Sequence, residues 1–251
     1  MEETGKNPIQ VAERLFQVIE RLAENGPMGI MDLSAELGFH KSTTHRLVTS
    51  LQYMGYIRQD EESLKYALSL KFLEIGSKIL EQTNMASLIH PSLKKLSEQT
   101  GETVHLVRRE GTEAVYIDKV ESTVSSIRMV SRVGSRIPLY CSGVGKALLA
   151  ELPDPEIEDI WNSSEITSLT PYTVTSLSDL MDRIRGVREA GYAMDDEENE
   201  EGVRCIAVSI PDYHKEPVYA LSISAPVSRM TDARIAELAV DVLAFKKELE
   251  K

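Results

Sequence analysis

Cysteine is scarce in this chain, whose 251 residues include only Cys141 and Cys205. Two cysteines are too few for the disulfide framework of a secreted protein, so we expect a reducing, cytoplasmic environment. Long apolar segments are also lacking, since none reaches the ~18 residues that suggest a membrane span. The first residues, Met1-Glu2-Glu3, have neither the basic nor the apolar region of a signal peptide. We therefore expect no membrane partner.

An excess of positive charge is lacking as well, because the formal net charge is −12. This balance at first argues against nucleic acid, but the distribution of charge matters more than its total. Residues 1–82 contain 9 Lys/Arg and 12 Asp/Glu, whereas residues 83–251 contain 19 and 28. Residues 38–59 include Lys41, Arg46 and Arg58 and no acidic residue. This basic window in an acidic chain is a candidate surface for DNA phosphates.

Catalytic motifs are lacking too. The sequence contains no nucleophile elbow, metal signature, dinucleotide fingerprint or C-x-x-C pair. We therefore predict a protein that is not an enzyme and that holds no metal and no cofactor. One alternative is an enzyme or sensor that uses Cys205 without binding DNA, with His105 or His214 as a base and Asp195 as an acid. Another is a zinc site built from Cys141, Cys205 and a histidine.

The first 68 residues show the element order of a winged helix-turn-helix. Apolar residues at helical spacing predict helices over 8–25, 31–37 and 41–54, and Gly38 supplies the tight turn before the third. Residues 56–58 and 66–68 read as two short strands joined by a polar turn. Residues 69–84 predict a linker helix, whose apolar Leu73 and Ile79 are the expected contact between two copies of the DNA-binding domain.

The third helix presents short polar and basic side chains near its N-terminus, the end that enters the major groove in a helix-turn-helix. Such side chains bond phosphates and base edges. Ser42 or Thr43 has an alternative role as a helix cap, and Arg46 as an ordinary surface residue. The predicted DNA-binding residues are Lys41, Ser42, Thr43, Thr44, His45 and Arg46 on the helix and Arg58 and Lys65 beside the ribbon.

Residues 85–251 alternate between strand and helix patterns. Strands are predicted at 103–109, 114–120, 126–130, 139–141, 192–194, 205–210 and 218–224, and helices at 86–99, 144–150, 155–162, 176–190 and 231–250. This mixture predicts an α+β domain in which helices pack on a central antiparallel sheet. The run from Asp195 to Glu201 has six carboxylates in seven residues and reads as a solvated loop.

The ordered set of short motifs resembles the IclR family of transcriptional regulators. In the first part it includes Gly38-Phe39-His40-Lys41-Ser42-Thr43-Thr44-His45-Arg46-Leu47, and in the second Pro138-Leu139-Tyr140-Cys141-Ser142-Gly143-Val144-Gly145-Lys146-Ala147. The remaining matching segments are 55–56, 66–68, 73–76, 131–134, 191–193, 201–207 and 221–224. The resemblance implies a winged helix, a linker helix and a GAF-like effector-binding domain, assembled as homodimers or homotetramers on double-stranded operator DNA.

The resemblance also implies an effector pocket, which the matching cysteine, Cys205, would line. Residues 143–147 follow a strand and open a helix, where backbone N–H groups favour an anion; the alternative is a plain tight turn. Ser222 and Ser224 share one face of a strand and need hydrogen-bond partners. The predicted effector-binding residues are Met129, Gly143, Val144, Asp195, Val203, Cys205, Ser222 and Ser224. The expected ligand is a small organic acid, such as a 2-oxo acid or a sugar acid.

Two residues depart from the family pattern. Ser209 stands where many members have proline, and Ala225 stands where many have glycine before Pro226. Both are predicted to lie on or beside strands that line the pocket. We therefore expect them to affect the identity of the effector more than the fold.

Overall fold

The structure is a computed structural model that describes residues 7–82, 84–122, 130–212 and 216–249. The chain divides between residues 82 and 83 into two compact units. The first unit contains helices α1 (Gln10–Asn25), α2 (Ile30–Leu37) and α3 (Lys41–Tyr53), strands β1 (Ile57–Gln59) and β2 (Tyr66–Leu68), and helix α4 (Lys71–Gln82). β1 and β2 pair antiparallel, and Met28 forms a single bridge to Tyr66. This is the predicted winged helix-turn-helix.

The three helices of the first unit close a small apolar core. α2 ends at Gly38, which adopts a left-handed conformation (φ 64°) that costs glycine little. Leu33 of α2 and Val48 and Leu51 of α3 are buried against Val18 of α1. Val48 and Leu51 are three residues apart and therefore share one face of α3.

Helix α4 is attached to the end of α3 within the first unit. Lys71 Nζ donates a hydrogen bond of 2.7 Å to the carbonyl of Met54, and its ammonium lies 4.2 Å from the centre of the Tyr56 ring. Ser69 Oγ donates to the carbonyl of Gly55 at 2.6 Å. Leu73 and Ile79 remain exposed. Helix α4, which was predicted as a linker, is therefore bound at its start to the winged helix-turn-helix, and its apolar side chains are exposed to solvent.

The second unit is built on one antiparallel sheet. Its elements are α5 (Asn84–Thr100), β3 (Thr103–Glu110), β4 (Glu113–Val120), β5 (Arg136–Pro138), α6 (Gly143–Leu149), α7 (Asp154–Ser163), α8 (Leu177–Ala190), β6 (Ala193–Asp196), β7 (Val203–Ile210), β8 (Tyr219–Pro226) and α9 (Asp232–Leu249). The strand order is β5-β4-β3-β8-β7-β6, with every pair antiparallel. This sheet matches the predicted α+β class.

Helices cover both faces of the sheet. On one face, Leu93 of α5 and Leu238 of α9 pack with Leu106 and Ile223 of the strands. On the other face, Leu148 of α6 packs with Ile184 of α8 and with Ala207 and Ala220 of the sheet. Side chains alternate between the two faces along each strand, so β3, β7 and β8 are apolar on one side and carry polar groups on the other. In the parts of the chain that the structure describes, no helix is long and apolar enough to span a membrane.

The strand predicted at residues 139–141 is wrong. The observed strand β5 ends at Pro138, and residues 139–141 form a turn. These residues are apolar because they are buried beneath α6, with Leu139 and Cys141 fully enclosed. Of the strand predicted at 126–130, residues 126–129 lie outside the described residues.

Candidate functional site

Seven of the eight predicted DNA-binding residues have exposed or half-buried side chains in the first unit. Lys41, Ser42, His45 and Arg46 are exposed on α3 and Thr43 is half-buried. Arg58 on β1 and Lys65 before β2 are exposed as well. Among the described residues, none of Lys41, Arg46, Arg58 and Lys65 has a carboxylate partner within ion-pair distance. Four cationic side chains are therefore available to an external anion.

Thr44 is the exception, which corrects the prediction. Its side chain is fully buried, and its hydroxyl donates a weak bond of 3.4 Å to the carbonyl of His40. Thr44 lies three residues before Leu47 and four before Val48, so it shares their inward face. The alternative role of Ser42 or Thr43 as a cap is not seen either, because the cap position is His40 and no side chain bonds there.

The second unit contains a pocket on the α6 face of its sheet. In the strand register, Asp195 pairs with Cys205, Cys205 with Ser224, and Ser224 with Thr103. Four strands thus place these residues side by side in one row. The start of α6 lies above the row, since a Cβ on Gly143 would contact the backbone N of Asp195 at 3.4 Å and the Cβ of Ala207 at 3.5 Å.

Seven of the eight predicted effector residues line this one pocket, and the eighth, Met129, lies outside the described residues. The empty space is about 430 Å³, open solvent at the mouth included. The lining residues are His105, Tyr116, Ser131, Ile137, Ser142, Gly143, Val144, Asp195, Asn199, Glu200, Val203, Cys205, Ser222 and Ser224.

His105 is the principal residue of the pocket that sequence reasoning did not assign to ligand binding. Its Nε2 lies 2.7 Å from Ser131 Oγ, and its Nδ1 lies 3.3 Å from Ser224 Oγ and 3.5 Å from Ser222 Oγ. Burial, with a smaller contribution from Lys119, lowers the pKa of His105 to about 3, so the ring is neutral. A neutral imidazole has one donor and one acceptor nitrogen and therefore fixes the direction of the hydroxyls around it.

Helix α6 is held against residue 139 by a glycine. A side chain on Gly145 would come within 2.6 Å of the carbonyl carbon of Leu139 and still closer to its oxygen and Cα. Ser142 caps the helix: its Oγ accepts a bond of 3.1 Å from Gly145 N and donates one of 2.5 Å to the carbonyl of Pro138. The Gly-Val-Gly sequence therefore serves close packing as well as the pocket.

The acidic run from Asp195 to Glu201 is solvated only in part, which corrects the prediction: Asp196, Glu200 and Glu201 are exposed, but two of its carboxylates are not. Asp195 and Glu198 are buried, with exposed fractions of 3% and 2%. Glu198 Oε1 forms an ion pair of 2.5 Å with Lys146 Nζ, and Lys146 is only 1% exposed. Asp195 Oδ1 accepts bonds from the backbone N–H groups of Glu198 at 2.8 Å and Asn199 at 3.3 Å. Composition alone suggests solvent for such a run, but Lys146, 52 residues earlier in the chain, draws it inward.

The protonation states in the pocket argue against a nucleophilic cysteine. Burial raises the pKa of the Cys205 thiol, and the nearby Asp195 raises it further, so the thiol stays protonated. Burial likewise raises the pKa of Cys141. His214, offered as an alternative base, lies outside the described residues. Within the described ranges, no group of three His, Cys, Asp or Glu side chains is placed to hold a metal ion.

The two departures from the family pattern lie on β7 and β8, the strands that line the pocket, as expected, but not in the pocket itself. Ser209 is buried further along β7, where it donates a hydrogen bond to Glu151 Oε1 and lies 2.9 Å from Lys246 Nζ. Ala225 is buried in the α5–α9 core. Neither residue lines the cavity. Their influence on the effector, if any, passes through packing.

Comparison with known proteins decides the family. Residues 77–250 match the model of the bacterial transcriptional regulator IclR C-terminal domain, and residues 11–61 match that of the IclR helix-turn-helix domain. The chain belongs to the IclR family. It is therefore a DNA-binding transcriptional regulator, and the prediction of a regulator rather than an enzyme is confirmed.

Similar members of the IclR family cover nearly the whole chain. The acetate operon repressor of Salmonella typhimurium is 37% identical over 96% of this chain and 89% of its own length. The regulator XynR of Escherichia coli is 38% identical over 97% of this chain and 94% of its own length. The crystal structure of the Thermotoga maritima IclR protein superposes with a TM-score of 0.80 at 33% identity, covering 95% of this chain and 96% of that one.

Proposed function

We propose that this IclR-family regulator is a repressor whose binding to its operator is modulated by a small carboxylate-bearing metabolite, a 2-oxo acid or a sugar acid. The observation that carries the proposal is the pocket above the row of Asp195, Cys205 and Ser224, which gathers hydrogen-bonding groups from four strands and one helix start around a small space. Support for repression comes from the relatives, one of which is an acetate operon repressor.

The donors of the pocket suit a carboxylate that is bound without a cation. No lysine or arginine is among the described residues that line it. The backbone amides of Gly143 and Val144, which line the space at the start of α6, would bind the carboxylate, and Ser222 and Ser224 supply hydroxyls from β8. Backbone amides and hydroxyls bind anions through short, charge-assisted hydrogen bonds. Affinity would then come from local donors rather than from long-range steering, so it should depend little on salt.

The apolar part of the pocket selects for size. Val144, Val203 and Ile137 close its walls, and Met129 is proposed to do the same. The small free volume excludes a bulky ligand in this conformation. An acid of three to six carbons offers both a carboxylate for the amides and an oxo or hydroxyl group for the serines, the thiol of Cys205 and Asp195.

We propose that α3 enters the major groove of the operator. Its side chains in contact with bases and phosphates would be Lys41, Ser42, His45 and Arg46, with Thr43 at the edge of the contact. Arg58 and Lys65 would bind the phosphate backbone of the DNA beside α3. A single such unit reads few base pairs, so a symmetric pair on a near-palindrome is needed for specificity. Leu73 and Ile79 of α4 and Leu70 just before it, with exposed fractions of 68%, 59% and 75%, are the proposed contact between the paired units.

The test measures the binding of a panel of small organic acids. Calorimetry gives the affinity of each acid, and a gel shift shows whether the acid releases the protein from operator DNA. The operator is taken from the DNA beside the protein's own gene. The double variant Cys205→Leu, Ser224→Leu should lose acid binding and keep DNA binding. Ser209→Ala is the matched control, because Ser209 shares the strand and the face of Cys205 but lies outside the pocket.

Two results would contradict the proposal. Equal acid binding by the wild type and the double variant would remove the pocket assignment. Binding of no acid at any pH by the wild type would remove the ligand class.

A further inference from the structure

Two buried carboxylates, those of Asp195 and Glu198, lie near one buried ammonium beside the pocket, and Glu198 forms the ion pair with it. Lys146 Nζ lies 2.5 Å from Glu198 Oε1, and Asp195 is fixed next to them by the backbone N–H groups of Glu198 and Asn199. Glu198 Oε2 is buried and has no hydrogen-bond partner among the described residues. The single positive charge is thus already engaged by Glu198, and an ionised Asp195 leaves the cluster with one uncompensated negative charge.

The other titratable groups around Asp195 do not offset that charge. They come from β3, β4, β7, the turn before α6 and the loop after β6, and they are His105, Tyr116, Cys205, Cys141 and Glu200. Burial keeps the histidine neutral by lowering its pKa, and it keeps the phenol and both thiols neutral by raising theirs. Glu200 is exposed and, as a carboxyl group, supplies no positive charge.

We infer that Asp195 takes up one proton from solvent when the pocket binds a carboxylate, so that this site accepts an anion only as the pair of anion and proton. This inference rests on the proposed function. The pocket has no lysine or arginine among its described lining residues, and Asp195 lines it directly. A ligand carboxylate beside an ionised Asp195 would place two like charges in a buried space, whereas a protonated Asp195 donates its O–H to the ligand.

The resting state of Asp195 makes this exchange accessible near neutral pH. Burial raises the pKa of Asp195 to about 7 and outweighs Lys146 and the backbone N–H groups of Glu198 and Asn199, which lower it, while the charge of Glu198 raises it. Asp195 is therefore largely protonated at pH 6 and largely ionised at pH 8. Acid binding, which needs the proton, is strongest below this pKa and weakens as pH rises through it. A neutral polyhydroxyl ligand would show neither the proton uptake nor the pH dependence.

The experiment is calorimetry on the full chain with pyruvate and gluconate as probes at pH 6, 7, 8 and 9. At each pH, two buffers that differ in ionisation enthalpy report the protons taken up. For an acid that binds only to the protonated form, uptake should be about 0.1 proton at pH 6 and about 0.9 at pH 8, and affinity should fall about 50-fold from pH 7 to pH 9.

Asp195→Asn should abolish both effects. Its side-chain oxygen can still accept the two backbone bonds, and its NH₂ group donates to the ligand at every pH. The variant should therefore bind the acid at pH 9 about as tightly as the wild type does at pH 6. Asp196→Asn is the matched control: the neighbouring Asp196 is exposed and paired with Arg204, so the variant should keep the pH dependence of the wild type.

The outcomes separate the two proposals. Acid binding by the wild type with equal affinity at pH 6 and pH 9, and with no proton uptake, overturns this inference and leaves the proposed function standing. Binding of neither probe at any pH overturns both. Thermal unfolding shows whether Asp195→Asn folds, and if it does not, the wild-type measurements in paired buffers decide the question alone.

Discussion

Replacing Gly145 by alanine should destabilise the second unit and deform the pocket. Gly145 lies in α6, two residues after Gly143, at the point where the helix touches the backbone of Leu139. The added methyl group would lie far inside van der Waals contact with three backbone atoms of Leu139. Backbone atoms cannot move aside as the end of a flexible side chain can. The clash can therefore be relieved only by a shift of α6 or of the buried turn at 139–141.

The magnitude follows from two opposing effects. Alanine in a helix interior is favoured over glycine by ~1 kcal/mol. Overpacking a buried site typically costs ~1–3 kcal/mol when side chains can adjust, and a clash with main chain belongs at or above the upper end of that range. We expect a net loss of at least ~2 kcal/mol in the free energy of unfolding. For a domain of this size that corresponds to a melting temperature lowered by roughly 4–8 °C.

The assay is urea unfolding of the full chain, followed by tryptophan fluorescence at fixed protein concentration. Trp161 is the only tryptophan in the sequence and lies in the second unit, with its ring centre 6.0 Å from that of Tyr140. Its signal therefore reports this unit. Gly186→Ala in α8 is the matched control, because a Cβ there meets nothing within 4 Å and should stabilise by ~0.5–1 kcal/mol. If Gly145→Ala is as stable as Gly186→Ala, the packing argument for α6 fails.

The remaining expectations concern the DNA-binding unit. Arg46→Ala should weaken specific operator binding by ~1–3 kcal/mol and Lys65→Ala should weaken binding to all sequences alike, whereas Thr44→Val, which changes a buried side chain, should bind as wild type in gel shifts. An operator affinity of Arg46→Ala equal to that of the wild type would mean that the proposed DNA contacts of α3 are misplaced. Leu73→Asp should shift the protein towards monomer in sedimentation and weaken operator binding, and Lys78→Ala, whose exposed side chain lies on another face of the same helix, should not shift the oligomeric state. Monomeric wild type at micromolar concentration, with and without DNA, would contradict the proposed contact.

The element order was predictable because local signals agree with the fold. Gly38 ends α2 and Gly191 ends α8 in left-handed conformations, and apolar residues recur at the helical period between such stops. Where the prediction of an element was wrong, tertiary packing had outweighed local pattern. Leu139, Tyr140 and Cys141 are apolar because α6 covers them, and an apolar triplet cannot by itself distinguish a covered turn from a strand.

The pocket was predictable to the extent that it follows strand alternation. Ser222 and Ser224 share a face of β8, and the register brings Cys205 and Asp195 beside Ser224. His105 of β3 lies on the same face of the sheet, directly opposite Ser222 of β8. A single sequence does not show which strands pair, so this neighbour could not be predicted. Thr44 shows the converse error, because the polar character of a residue near the start of a recognition helix does not reveal which side of the helix it occupies.

Helix α6 joins packing and the proposed ligand binding in one short segment. Gly143 and Val144 border the pocket, Gly145 is in contact with the backbone of Leu139, and Lys146 carries the buried charge that pairs with Glu198. These residues therefore have different neighbours: the pocket for Gly143 and Val144, the turn at 139–141 for Gly145, and the acidic loop after β6 for Lys146. A ligand that displaces the start of α6 must therefore also strain the contact at Leu139 or the ion pair at Glu198. Close-packed interiors respond to such strain by moving as units rather than by yielding locally. This is the physical reason to expect that a ligand small enough for this pocket can change the conformation of the whole unit.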